Sequence, residues 1–176
     1  MGILSDIIKS KKGQKVKVSL MTARIVEDKK RFEELIDILK TGSDVEKGTC
    51  ADVAKHVAKE NPEILVPYID TLIEYIDYKA PRVRWGIPES LGYVARQFPD
   101  LVEKAVPKLI INTKDESTVV RWCAAFALSE IAMHNMKVQK RLLTTTEEIA
   151  GKEKNNGVKN VYLKASKIIQ KEMAAP

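Results

Sequence analysis

Trp85, Glu89, Tyr93 and Arg96 are spaced four, four and three residues apart, and Trp122, Phe126, Glu130 and Met133 repeat that spacing 37 residues later. On helices, each set lines one side. Aromatic rings beside a guanidinium are the groups that carry most energy at protein interfaces, so the first chemistry these residues suggest is recognition of a partner. The competing reading is packing, with each indole bridging two layers of a core.

Signatures of catalysis are missing. The sequence has no glycine-rich dinucleotide or phosphate loop, no Gly-x-Ser-x-Gly elbow and no His-Glu-x-x-His pair. His56 and His134 have no carboxylate or cysteine partner at ligand spacing. No catalytic set, metal, cofactor or small-molecule substrate is therefore expected. Cys50 and Cys123 lie on small-residue helical faces without a Cys-x-x-Cys spacing, and are expected as buried reduced thiols.

The composition is that of a globular chain, 44% hydrophobic and 31% charged over 176 residues, which suits one domain with a real core. No apolar run approaches the ~18 residues of a membrane span. The opening MGILSDIIKSKKG has too short an apolar stretch for an export signal and misses the myristoylation pattern. A cytoplasmic protein is expected.

The net charge of +6 belongs to the two ends. Residues 1–31 carry nine Lys/Arg against three acids, residues 32–151 fifteen against nineteen, and residues 152–171 six lysines against Glu153. Residues 60–78 hold five acids and no Lys or Arg. Lysine-rich ends could make weak, salt-sensitive contacts to nucleic acid, but a mobile basic arm and a solvated capping helix are the plainer reading.

Helical period runs through the sequence, and strand or hairpin signals are scarce. Phe32, Leu35, Ile36 and Leu39 share a face before Gly42, read as a left-handed cap. Ser43 and Asp44 are N-cap candidates for the next helix, and Pro62, Pro81 and Pro99 punctuate those that follow. Pro88 lies inside an expected helix, which either kinks there or begins there.

These helices repeat. Val45-Glu46-Lys47-Gly48, Val83-Arg84-Trp85-Gly86, Val120-Arg121-Trp122-Cys123 and Val158-Lys159-Asn160-Val161 start 38, 37 and 38 residues apart. A helix-pair period of this length is the mark of an α-solenoid. Gly86, Gly92, Ala124 and Ala127 would let neighbouring helices approach closely, while Val83, Leu91, Val94, Val120, Leu128 and Ile131 fill the seam.

The copy LVEKAVPKLIINTKDESTVVRWCAAFALSEIA resembles a HEAT repeat, an outer helix carrying Pro, a turn Asp and an inner helix opening Val-Arg; Pro107, Asp115 and Arg121 fall at those three places. The resemblance covers residues 29–173. It is looser in the copy with Asp77 and Arg84, and degenerate in the outer two, which have Glu46 and Lys159 where the Arg belongs. It implies an all-α, right-handed α-solenoid of antiparallel helix pairs, about seven or eight helices. Residues 1–27 are then a basic arm, irregular or partly helical, and residues 28–176 a single repeat domain. Asp77, Arg84, Asp115 and Arg121 would be structural, each Arg tying its turn to the adjacent acid or to the next repeat.

On this comparison Trp85, Glu89, Tyr93, Arg96, Trp122, Phe126 and Glu130 face a concave surface. The expected function is a non-catalytic scaffold or adaptor that binds a protein partner there. One alternative is association with nucleic acid through the basic ends. The second is an enzyme, since HEAT-like alkylpurine DNA glycosylases line a concave face with residues to which Trp85, Glu89, Trp122 and Arg96 are similar in type.

Overall fold

Each repeat begins its inner helix at a well-made start. The structure, a computed structural model, describes residues 2–176. Ser43 opens the helix Asp44–Glu60 with a capping box: its hydroxyl accepts from the Glu46 N–H, and Glu46 Oε2 accepts from the Ser43 N–H at 2.8 Å. Ser117 and Asn155 cap the helices Thr118–His134 and Asn156–Met173 through their side-chain oxygens, and Ala80 precedes the helix Pro81–Ala95 with Pro81 at its first position. These four cap positions fall 37, 37 and 38 residues apart, so the sequence period is also the period of the helix starts.

In chain order the helices are α1 Ile3–Lys9, α2 Gln14–Glu27, α3 Arg31–Thr41, α4 Asp44–Glu60, α5 Ile69–Glu74, α6 Pro81–Ala95, α7 Pro99–Val102, α8 Val106–Asn112, α9 Thr118–His134, α10 Gln139–Lys152 and α11 Asn156–Met173. Two 3-10 turns, Pro62–Tyr68 and Glu103–Ala105, sit where Pro67 and Pro107 interrupt the outer helices. Among the described residues there is no strand. Taking α7 and α8 as one rod leaves ten among the described residues, not seven or eight.

The extra two are α1 and α2. Residues 1–27 are not an appended arm among the described residues: Leu4, Ile8, Val18, Met21 and Ile25 belong to the same core cluster as Ile169 at the other end. A single apolar core therefore threads the chain from α1 to α11.

Helices α2, α4, α6, α9 and α11 form a continuous inner layer, each packed on the next. The outer layer is α3, the Pro62–Glu74 rod, the α7–α8 rod and α10. Small residues set the spacing. A Cβ at Gly86 would lie 2.6 Å from the Ala51 carbonyl oxygen, and one at Gly92 would lie 3.2 Å from the Ala127 Cα, so at these glycines α6 approaches both neighbours backbone to backbone. Gly42 is not a left-handed cap. Its φ of −71° is ordinary, and a Cβ there would meet the Ile38 carbonyl oxygen at 2.7 Å, so glycine serves space and not handedness. The α6 helix starts at Pro81 and runs through the buried Pro88.

Candidate functional site

The inner layer leaves one face free of the outer helices, and the expected site residues lie on it across α6 and α9. Trp122 is 37% exposed and stacks on Phe126, with parallel rings 5.8 Å apart. Phe126 meets Tyr93 of α6 edge to face at 5.0 Å. The Arg96 guanidinium lies over both rings, 5.0 Å from Tyr93 and 5.7 Å from Phe126.

Arg96 is fixed there from below. Its Nε and Nη2 donate to the two carboxylate oxygens of Glu130, each at 2.9 Å, a bidentate fork between successive inner helices. Glu130 is buried and also lies 3.4 Å from His134 Nε2. The hydrogen bonds to Glu130 raise the guanidinium's affinity for its proton further, so Arg96 is permanently charged. Trp122, Phe126, Tyr93, Arg96 and Glu130 thus form one preorganised ridge.

Trp85 and Glu89 occupy the α4 side of the same face. Trp85 is half-buried, and its indole N–H is buried without a hydrogen-bond partner. Glu89 lies 3.8 Å from Lys55 of α4. Burial raises the Glu89 carboxyl above its ordinary range, against the opposing pull of Lys55 and His56. The two tryptophans are therefore unequal: Trp122 is the more exposed, its ring stacked on Phe126, and Trp85 is the more covered, its indole N–H turned inward.

The turn residues hold the layers together, one repeat further along than the adjacent-acid pairing. Arg84 pairs with Asp115, on the turn of the next repeat. Arg121 Nε donates to Glu153 at 2.9 Å, again in the next repeat, while its Nη1 caps the carbonyls of Asp115 and Glu116. Asp115 and Glu153 are counterparts. Each accepts the backbone N–H of the residue two places on, Ser117 or Asn155, at 2.8 Å. Burial works against both carboxylates, yet the N–H donors and the arginines hold each below its ordinary range. Asp77 does not meet Arg84 directly; Lys108 of the following repeat donates to it at 2.8 Å. Glu153 was absent from the sequence-based set, although it stands 38 residues after Asp115.

Cys50 and Cys123 are both buried and free. Burial pushes the Cys123 thiol up to about 12, so it holds its proton at neutral pH. Among the described residues, no three His, Cys, Asp or Glu side chains are grouped to hold a metal ion. No helix among them is long and apolar enough to cross a membrane.

These features define a helical-repeat protein. No protein-family model matches the chain, and no curated protein matches it. Solved structures do match, among them three at low identity. An engineered protein from a structural-genomics consortium has a TM-score of 0.76 at 16% identity, over 96% of this chain and 80% of its own. A designed armadillo repeat protein in complex with the peptide (KR)4 has a TM-score of 0.69 at 15% identity, over 93% and 80%. A second engineered protein has a TM-score of 0.59 at 13% identity, over 97% and 98%. At such identities the likeness is one of fold.

Proposed function

We propose that this chain is a HEAT-type repeat scaffold, without catalytic activity, that grips a protein segment on the open, concave side of its inner layer. The observation that carries the reading is the ridge Trp122–Phe126–Tyr93–Arg96, clamped by Glu130. Aromatic and arginine anchors held rigid before binding are the arrangement that yields affinity with little ordering cost. Pro107 in the outer helix, Asp115 in the turn and Arg121 in the inner helix support the HEAT assignment, as does the shared role of Asp115 and Glu153. The designed armadillo neighbour, in complex with a peptide, supports a peptide as the kind of ligand. The cytoplasm is part of the proposal, supported by two free, buried thiols.

The test compares binding and stability in Trp122→Ala. Affinity for partners captured from nuclease-treated lysate is expected to fall by about 2 kcal/mol, the usual loss for a central aromatic anchor. Chemical unfolding should shift less than for a core residue, because the indole is partly exposed. Large destabilisation with unchanged binding would show the indole to be core, and the scaffold would have to bind elsewhere.

A further inference from the structure

We infer that the open face is built for an acidic peptide, bound with its carboxylates against a groove between α2, α4 and α6. The inference deepens the proposed function by naming the partner's chemistry, and it rests on that reading.

The face carries both signs of charge, but they are layered. In the pair of Arg82 and Asp52, joined at 2.7 Å, the arginine side chain is 42% exposed and the aspartate 17%. For Arg96 and Glu130 the figures are 47% and 8%, and for Lys55 and Glu89 they are 27% and 17%. In each pair the carboxylate lies beneath and the cation above. A ligand approaching this face meets guanidinium and ammonium groups first, with donors left over after the internal pairs are made.

The groove is the place where this layering meets a concavity. It has a volume of roughly 560 Å³ and is lined by Lys15, Val18, Thr22, Lys55, His56 and Arg82, among others. Val18 gives it an apolar floor, and Lys15 stands exposed at its rim. Thr22 lies in the groove wall, its hydroxyl turned inward and buried without a hydrogen-bond partner. His56 Nδ1 lies 2.7 Å from the Asp52 carbonyl, which can only accept, so Nδ1 carries the proton and the ring edge bearing Nε2 is left for other partners. Along the same face the ridge at Trp122 and Phe126 supplies apolar contact.

The same layering argues against nucleic acid. Binding to a phosphate backbone draws its strength from releasing counterions, which requires cations not already neutralised. Arg82, Arg96 and Lys55 each have a carboxylate within 4 Å, so few unneutralised cations remain there for a phosphate backbone to engage. A peptide with carboxylates set apart by apolar side chains places its charges over the cations and its side chains on the ridge.

The experiment titrates the full chain against a fluorescently labelled peptide alternating aspartate and leucine. Versions with lysine or serine for aspartate, and a single-stranded DNA, serve as comparisons. The aspartate peptide should bind best, and more weakly as salt rises. Lys15→Ala, an exposed change that leaves the fold intact, should weaken it about fivefold, near the upper end for a surface pair. Arg82→Ala should weaken it roughly tenfold, as expected for a charge-assisted hydrogen bond. If Arg82→Ala proves unfolded, Lys15→Ala and the salt series decide. Binding of the aspartate peptide indifferent to Lys15→Ala and to salt overturns the inference. So does equal or tighter binding of the lysine or serine peptide; if that binding is lost in Trp122→Ala, the ridge still stands as the docking site. Tighter binding of the DNA replaces the acidic peptide with nucleic acid. No binding by any peptide also overturns it, leaving the scaffold reading to the Trp122 comparison on captured partners.

Discussion

The Tyr162 hydroxyl is buried between α9 and α11 without a hydrogen-bond partner, and burial drives its phenol well above the usual range. An unsatisfied buried hydroxyl costs stability that the ring's packing must offset. Tyr162→Phe should therefore leave the unfolding midpoint unchanged or raise stability by up to about 1 kcal/mol; a clear loss in urea titration would mean that the hydroxyl has a partner. Glu153 is the opposite case, a buried carboxylate with two charged or polar donors. Its native pKa is depressed, so its contribution is complete above the ordinary carboxylate pKa and disappears as pH falls through the lower, native value; the same holds for Asp115. Glu153→Gln should cost roughly 1.5–3 kcal/mol at neutral pH, the range for hydrogen bonds to a charged group. The gap from the parent should close in acid, when both chains lack the charge. A gap that is the same at both pH values would remove the ladder from the account. The arginines of this ladder were legible in the sequence, since Val-Arg-Trp recurs. Their partners were not, because which turn acid an Arg reaches depends on the rise between layers, and spacing along the chain does not encode it.

At the scale of the helix, close approach makes two glycines behave oppositely. Gly86→Ala forces a methyl against the Ala51 carbonyl, where the obstacle is backbone and cannot rotate away. It should destabilise by about 1–3 kcal/mol, as overpacking does. Gly151, in the last turn of α10, has nothing within 4 Å of its would-be Cβ. There Ala should stabilise by about 0.5–1 kcal/mol through helix propensity and a less flexible unfolded chain. Paired thermal melts of the two variants check the sign directly. The inner helices and their register were readable because small and branched residues recur at a fixed period. The first two helices were harder to see. Leu4 and Ile8, then Val18, Met21 and Ile25, do keep helical spacing, but they stand among nine basic residues in the first 31, and that charge suggested an arm. A lysine-rich segment can cover a core as long as its apolar stripe is continuous, since lysine stems lie along apolar surface with their charges in water. Lys17 shows how α1 and α2 are joined, its Nζ donating to the Ile8 carbonyl at 2.7 Å.

For the molecule as a whole, the packing order predicts how it comes apart. Inner helices touch their neighbours in sequence order, so stability is expected to be a sum of repeats and the interfaces between them. Residues 1–27 supply one terminal unit, with Leu4, Met21 and Ile25 fully buried against the rest. Their removal uncovers the faces of α3 and α4 on which they chiefly lie, while the main packing of α9, α10 and α11 is on one another and on α6 and α8. The truncated chain should therefore remain helical by circular dichroism. Its urea midpoint should fall, and its denaturant dependence should become shallower in proportion to the surface no longer buried. The newly exposed apolar face should also promote association, visible by sedimentation as mass rising with concentration. An unchanged midpoint would return residues 1–27 to the status of an arm. Complete unfolding would show that the repeats fold only as one unit, which neighbour-to-neighbour packing does not require.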